Sequence, residues 1–285
     1  HGATPVFVDV DDQTLNIDPK DILRAITPKT RAICVVHYAG ISAAMDEILE
    51  IAKTYSLKVI EDNAHGLGGK YLGRTLGSLG TFGTHSFHET KNITCGEGGS
   101  LAINDSNYIE RAEILREKGT NRSKFLRNQV DKYTWCDLGS SWVMSDLLAA
   151  VLLAQLERFE LIWNRRHLIY SLYSSGLSDW AEKLSIRTPF IPSYAEHTAH
   201  MYFLRFPSLE IRTLFIRHLA EHDINSVFHY QSLHQSGYGK SFPKSSNQLR
   251  VTETASDCLV RLPLFNSMST EQAYSVIDRC LSFVY

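Results

Sequence analysis

The sequence predicts an α/β protein with a mostly parallel sheet in a large first domain and a smaller C-terminal α/β domain. Over residues 1–119, short apolar runs of strand length alternate with stretches whose apolar residues recur three and four positions apart. This alternation is typical of a parallel sheet covered by helices. A long helical stretch and a second, shorter α/β set follow. We therefore expect a large domain at 1–160, and a long linking helix with a small C-terminal domain at 161–285.

The first domain can be divided into strands and helices in order. The first helix has Asp18 as its cap and Pro19 at its first position, which is a common way for a helix to begin. Functional groups in open α/β sheets collect beyond the carboxyl ends of strands, where Asp62, Ser86 and Lys91 lie. The predicted strands are 5–10, 30–38, 57–62, 82–87 and 99–105, and the predicted helices are 18–26, 44–56 and 107–119.

The second half begins with residues 145–177, which predict one long helix or two nearly continuous helices that end at Gly176. The pattern then resembles a small α/β domain attached to that helix. Its predicted strands are 200–206 and 226–230, and its predicted helices are 211–223, 252–260 and 270–284.

Composition excludes several classes of protein. A formal net charge of -2 and a pI of about 6.7 argue against general binding to nucleic acid or to a membrane surface. No apolar run approaches the roughly 20 residues that span a bilayer. The five cysteines are scattered, without metal-binding or CxxC spacing, which indicates reduced thiols and a cytoplasmic protein.

The segment "HETKN" (88–92) begins like the zinc motif HExxH, but Asn92 stands where the second histidine is needed. His85 and His88 are then ordinary packing or hydrogen-bonding residues, and we expect no metal. The glycines of "HGLGGKY" and "CGEGGS" match neither a phosphate loop nor a dinucleotide fingerprint.

The basic stretch at 116–132 allows two interpretations. It is either a solvated face or a clamp for a substrate diphosphate, formed by Lys118, Arg122 and Lys124.

Four residues suggest a pyridoxal phosphate site: Asp62, His65, Ser86 and Lys91. A lysine that forms a Schiff base must give up its proton, which a desolvated or positive setting favours. A carboxylate such as Asp62 keeps the pyridine nitrogen protonated, and a hydroxyl such as Ser86 binds phosphate. The alternative is that Asp62 only caps the following turn and Lys91 is exposed. From the residues alone, both interpretations stay open.

Several motifs together resemble the sugar-nucleotide aminotransferases of the DegT type, which are pyridoxal-phosphate enzymes of fold type I. The resemblance runs from residue 1 to 285, through "EDNAHG", "SFHETKN", "GEGG", "FHYQSLH" and "RLPLF". It implies the PLP-dependent transferase fold type I, with Lys91 as the Schiff-base lysine and Asp62 as the partner of the pyridine nitrogen. It also implies His65 near the phenolic oxygen and Ser86 at the phosphate.

The resemblance further implies the substrates and a partner. It suggests a homodimer with a shared active site, in which Ser141 approaches the cofactor phosphate of the neighbouring subunit. We expect substrate contacts from His229 and Tyr230, in addition to the basic stretch. The stretches "REKGTNRSKFLRNQVDKYTW" and "SSWVMSD" resemble members that aminate a dTDP-4-keto-6-deoxy sugar with glutamate, for a bacterial surface polysaccharide.

Three further expectations follow from the resemblance. Family members have one more α/β unit before this point, so we expect an N-terminally truncated chain. One alternative is therefore a non-catalytic or weakly active fragment. The other is a related PLP-dependent sugar dehydratase, although dehydratases of this fold replace the lysine with histidine and Lys91 argues against that function.

Overall fold

The computed structural model describes residues 2–242 and 248–285. Its α-helices are α1 (Pro19–Ala25), α2 (Met45–Thr54), α3 (Ile109–Arg116), α4 (Arg122–Leu126), α5 (Asp146–Glu157), α6 (Phe159–Lys183), α7 (Leu209–Ala220), α8 (Arg250–Cys258) and α9 (Thr270–Leu281). Its strands are β1 (Ala32–Val36), β2 (Lys58–Asp62), β3 (Lys70–Tyr71), β4 (Arg74–Thr75), β5 (Phe82–Ser86), β6 (Gly99–Ile103), β7 (Ala195–Glu196), β8 (Tyr202–Arg205), β9 (Val227–Phe228) and β10 (Leu259–Leu262).

The main sheet has the order β1-β2-β5-β6. Strands β1, β2 and β5 are parallel, and β6 is antiparallel to β5. Asp62 pairs with Val36 on one side and with Thr84 on the other, so the carboxyl ends of three strands meet at one edge. The prediction of a largely parallel sheet is confirmed. The predicted strand at 5–10 is wrong, because this segment pairs with no strand of the described residues and forms one isolated bridge, between Val10 and Ile17.

One face of the main sheet is covered by α2. Ile33 and Val35 of β1 and Val59 of β2 pack there against Met45 and Ile48, and all five side chains are buried. On the opposite face, Val36 and Leu101 are exposed. Since successive side chains of a strand point to opposite faces, neighbours such as Glu61 and Asp62 face different surroundings.

The long helical stretch consists of two helices, α5 and α6, which are separated at Arg158. The prediction that it ends at Gly176 is wrong, since α6 continues to Lys183. A Cβ atom at Gly176 would lie 3.0 Å from Cδ1 of Ile277, so this glycine permits the close packing of α6 on α9.

The C-terminal part contains an antiparallel sheet with the order β8-β10-β9. Its core lies between this sheet and the helices α6, α7 and α9, around Tyr173, Tyr202 and Phe215. The predicted helix 252–260 is wrong at its end, because α8 stops at Cys258 and β10 follows at once as the central strand. The division at 160/161 stays a prediction, and α6 spans that boundary.

A short third sheet, with the order β4-β3-β7, ties the chain after β2 to the segment before β8. Among residues 2–242 and 248–285, no helix has both the length and the apolar character that crossing a membrane requires.

Candidate active site

Glu61 and Asp62 end β2, but their carboxylates have different partners. Glu61 is fully buried and accepts hydrogen bonds from the backbone N–H groups of Gly77 (2.8 Å), Leu79 (2.7 Å) and Gly80 (2.6 Å). It also accepts one from Nε2 of His37, at 2.9 Å. Burial opposes ionisation, but the bonds from His37, Gly80 and Gly77 hold the pKa of Glu61 below its ordinary value.

Asp62 lies on the other face of the sheet and is only half-buried. Its Oδ1 accepts the N–H of Ala64 at 3.1 Å, so the expected cap of the following turn is present. The negative charge of Asp62 also acts on Lys91, where it is the one contribution that raises the pKa of the amine. The capping role and the functional role of Asp62 are therefore compatible, since the cap uses one carboxylate oxygen.

Lys91 lies in the loop that follows β5. Phe87, Ile93 and Cys95 anchor this loop in a small core with Ile162 of α6. The lysine itself is half-buried, which argues against the alternative interpretation in which its side chain is exposed. Burial lowers the pKa of Lys91; Asp62 raises it and Arg261 lowers it further, with a net decrease. The setting favours the neutral, nucleophilic amine.

Asn92, next to Lys91, ties the loop to the C-terminal part of the chain. Its Oδ1 lies 2.9 Å from Nδ1 of His200, and its Nδ2 donates to the carbonyl of Thr198 at 2.9 Å. Its own carbonyl accepts from Asn266 at 2.8 Å. These three contacts position the backbone of Lys91.

His65 stacks on the ring of His200, with the ring centroids 4.1 Å apart. Its Nδ1 is buried and has no hydrogen-bond partner in the described structure. Burial, together with the charges of Lys91, His229 and Arg261, lowers the pKa of His65 to about 3. This histidine is therefore neutral near pH 7, with a ring nitrogen available to a ligand.

Tyr38 connects two of these groups. Its ring lies 6.4 Å from that of His65 and 5.3 Å from that of His229, and its hydroxyl is 3.3 Å from Nδ1 of His229. The chain turns sharply two residues later, at Gly40, which has a φ of +78°. A Cβ atom at this position would lie 1.9 Å from Thr198 Oγ1 and collide with it, so the turn requires glycine. Burial raises the pKa of Tyr38. Burial and Arg261 lower that of His229 to about 4.

The structure thus brings Asp62, His65, Lys91 and His229 together, and Arg261 joins them from β10. The Arg261 guanidinium lies 5.1 Å from the centre of the exposed Tyr230 ring. Ser86 ends β5 and its Oγ accepts the N–H of His88 at 3.3 Å.

Other predicted site residues lie elsewhere on this chain. Ser141 is exposed and pairs with Glu117 in an isolated bridge. Arg122 forms an ion pair with Glu117 at 3.7 Å, and Lys124 forms one with Glu110. Lys118 is exposed and has a φ of +60°. The described residues contain no group of three or more His, Cys, Asp or Glu arranged to hold a metal ion. The roles of Ser141 and of the basic stretch stay predictions.

Comparison with known proteins identifies the family. The profile of the DegT/DnrJ/EryC1/StrS aminotransferase family matches residues 1–281. The chain belongs to this family. This match does not test the expected N-terminal truncation, which stays a prediction.

Three similar proteins illustrate the relationship. An uncharacterized protein, MJ1066, of Methanocaldococcus jannaschii is 35% identical over 283 residues, which are 97% of this chain and 72% of that protein. The PLP form of the sugar aminotransferase Spr1654 of Streptococcus pneumoniae is 28% identical, with a TM-score of 0.86 over 99% of this chain and 75% of its own. DesI, studied in the presence of its TDP-sugar product, is 26% identical, with a TM-score of 0.85 over 98% of this chain and 69% of its own.

These comparisons confirm fold type I and pyridoxal phosphate as the cofactor, and they support an enzyme of the sugar aminotransferase type. The residues present fit this cofactor. Lys91 has a lowered pKa, Asp62 has a carboxylate at the strand end, and His65 has a buried ring nitrogen without a partner.

Sequence reasoning missed Tyr38, Asn92, His200 and Arg261 as parts of this site. A usable signal existed for Tyr38, which lies at the end of an apolar run, as Asp62 and Ser86 do. Arg261 begins the motif "RLPLF", but the predicted helix 252–260 covers the first half of its strand, β10.

Proposed function

We propose that this protein transfers the amino group of glutamate to C4 of a dTDP-4-keto-6-deoxy-hexose. The product class is that of dTDP-4-amino-4,6-dideoxygalactose transaminase, for a bacterial surface polysaccharide. The half-buried Lys91, with its lowered pKa beside Asp62, carries the aminotransferase part of the proposal. The TDP-sugar product of DesI and the stretches at 116–135 and 140–146 support a dTDP-sugar.

Pyridoxal phosphate supplies an aldehyde and an electron-withdrawing ring when it is bound. Asp62 would hold the proton on the ring nitrogen. His65 would serve the phenolic oxygen as a neutral ring, and Ser86 would bind the phosphate. The pKa of Lys91 is lowered by burial, which increases the share of the free amine that can bond covalently to the aldehyde carbon.

Lys91 then has a second role. Once glutamate displaces it, the neutral amine would take the proton from the donor Cα as a general base and would return it, as a general acid, to the carbon of the former aldehyde. In the second half-reaction, with the keto sugar, Lys91 would move the proton in the opposite direction. The contacts of Asn92 with His200, Thr198 and Asn266 position Lys91 for both roles.

We also propose that the protein is a homodimer that shares its active sites. Large apolar side chains are highly exposed on and around α5, and a second copy would cover them and bring Ser141 to its neighbour's cofactor phosphate. These side chains are Trp135 (76% exposed), Leu138 (74%), Trp142 (73%) and Leu147 (82%). We place the protein in the cytoplasm, because its five cysteines are all free thiols.

Lys91→Ala tests this function. Wild-type protein that has been incubated with pyridoxal phosphate should give a borohydride-stable adduct on Lys91, identified by peptide mass spectrometry. The variant should give none and should lose the visible absorbance of the bound cofactor. Lys70→Ala is the matched control, because Lys70 is a surface lysine paired with Glu196 at 2.9 Å. A stable adduct on another lysine in the Lys91 variant would refute the assignment.

A further inference from the structure

Arg261 lies in the central strand of the C-terminal sheet, where it pairs with Phe203 of β8 and with Val227 of β9. The ring of Phe203 lies 5.9 Å from that of Tyr38, which in turn contacts His65 and His229. Since directly opposite residues share a face of a sheet, Arg261 lies on the face that Phe203 presents to Tyr38, and its charge reaches Lys91.

The guanidinium of Arg261 has few partners for its five donors. One nitrogen donates to the carbonyl of Phe228 at 3.3 Å, and the group lies over the ring of Tyr230. Its Nε is buried and has no hydrogen-bond partner, and no acidic side chain of the described residues forms an ion pair with it. A buried donor without an acceptor is costly, so a ligand that supplies one would be stabilised.

Two buried arginines in the same part of the chain show how a guanidinium charge is balanced. Arg166 donates to the carbonyls of Ala199 and His200 and to Oδ1 of Asn266, at 3.0, 2.6 and 2.9 Å. Arg205 has one buried nitrogen, Nη1, without a partner among the described residues, but its charge is balanced by Asp12 at 2.7 Å. Arg261 differs from both, since neither an acid nor a set of carbonyls balances its charge.

The groups around Arg261 do not neutralise it either. Burial keeps the pKa of His65, His200 and His229 low, so these three rings are uncharged near pH 7. Lys91 is itself a base beside this positive charge. The site therefore favours an anion close to the reactive amine.

We infer that Arg261 binds the α-carboxylate of the amino donor, through the fork of its guanidinium. This inference rests on the proposed function. The amine of the donor must take the place of the Lys91 amine, and its α-carboxylate is attached to the same carbon, so it must lie beside Lys91 and its neighbours. A sugar diphosphate is separated from the reacting C4 by the whole sugar ring, and it would reach further from the lysine.

The test compares Arg261→Gln and Arg261→Lys with Arg212→Gln in the cofactor-loaded enzyme. Arg212 is a matched control, because it also donates to a backbone carbonyl (Asp257, 2.8 Å) and lies over an aromatic ring (Phe228, 5.8 Å). We expect Arg261→Gln to weaken glutamate and 2-oxoglutarate binding about tenfold or more, with partial rescue by lysine. Arg212→Gln should leave both affinities unchanged.

A pair of glutamate analogues identifies which carboxylate is bound. 2-Aminobutyrate keeps the α-carboxylate, and 4-aminobutyrate lacks it. The second-order rate constant for reaction with the cofactor-loaded enzyme, followed by absorbance, should fall in Arg261→Gln for glutamate and 2-aminobutyrate but stay constant for 4-aminobutyrate. A fall for all three compounds would overturn the assignment to the α-carboxylate.

A spectroscopic titration adds a readout that does not depend on turnover. Arg261 lowers the pKa of the Lys91 amine, so the lysine-bound cofactor should have a higher pKa in Arg261→Gln than in the wild type. Glutarate, which cannot react, should raise this pKa in the wild type by neutralising Arg261, and should leave it unchanged in the variant.

The outcomes separate this inference from the proposed function. Unchanged glutamate affinity in Arg261→Gln, or a selective loss of sugar-nucleotide affinity, would overturn the carboxylate assignment while the borohydride adduct on Lys91 persists. If the wild type forms no adduct on Lys91, the proposed function itself fails.

Discussion

The two carboxylates at the end of β2 lie next to each other in the chain and in opposite chemical settings. Glu61 faces the core side of the sheet, where its oxygens accept four hydrogen bonds from His37 and three backbone N–H groups. Asp62 faces the other side, where the nearby groups are incompletely paired: Nδ1 of His65 and Nε of Arg261 are buried and have no hydrogen-bond partner within residues 2–242 and 248–285.

The difference indicates which region stabilises the fold and which binds a ligand. A saturated, buried network such as that of Glu61 fixes the loop 76–80 against the sheet. Unpaired polar groups around a base with a lowered pKa have a cost in the free protein, and a bound ligand can offset it. Four measurements test this contrast.

The largest effect is expected for Glu61→Gln. Each carboxylate oxygen of Glu61 accepts a backbone N–H, so either orientation of the amide would place an NH2 group against another donor. We expect the free energy of unfolding to fall by about 3–5 kcal/mol, measured by urea denaturation. A loss below about 1 kcal/mol would mean that the network does not stabilise the fold.

Asp62→Asn should change the stability of the protein little and its activity strongly. Asparagine can still accept the N–H of Ala64, so we expect the unfolding free energy to change by less than about 0.5 kcal/mol. A neutral amide cannot hold the ring nitrogen protonated. The single-turnover rate with glutamate should therefore fall, by up to about 10³-fold. An unchanged rate, or a loss of stability equal to that of Glu61→Gln, would contradict the proposed difference between the two carboxylates.

The pH dependence of stability should report the neutral histidines of the site. The pKa of His65 is lowered from 6.5 to about 3, so below pH 6.5 the unfolded chain binds a proton that the folded chain does not. Stability is therefore lost as the pH falls. We expect His65 to contribute a loss of up to about 2 kcal/mol between pH 6.5 and 5, measured by urea unfolding.

His65→Gln should remove this part of the pH dependence. His222→Gln is the control for the loss of a histidine, because His222 is exposed on the C-terminal part of the chain. A pH profile that is the same in His65→Gln and in the wild type would show that His65 titrates normally.

The smallest effects are expected in the basic stretch. Lys118→Gln should raise the KM for the sugar nucleotide about tenfold, since Lys118 lacks an acidic partner in the described structure. Arg122→Gln and Lys124→Gln should raise it less, because Glu117 and Glu110 already offset their charges. Equal losses of cofactor affinity would point to a folding defect, and no change in KM would leave this stretch as a solvated face.

Local patterns were sufficient for much of the fold. The apolar runs that became β1, β2 and β5 and the helical periodicity of α2, α5 and α6 are properties of short segments, and the structure confirms them. The pattern failed where a segment depends on distant partners. Residues 5–10 have strand composition but no neighbouring strand, whereas Leu259–Leu262 is a strand only because β8 and β9 flank it.

The residues of the candidate site also fall into those that local sequence predicted and those that depend on distant partners. The sequence by itself predicted that Asp62, Ser86 and Lys91 lie together, because each falls at or just after the end of an apolar strand and the carboxyl ends of parallel strands meet at one edge. Only the tertiary structure brought His200 and Arg261 to that edge, from segments up to 170 residues away from Lys91. Burial and the charges of distant side chains also decide which groups are neutral and which donors stay unpaired. Both burial and these charges depend on how the chain packs rather than on neighbours in sequence.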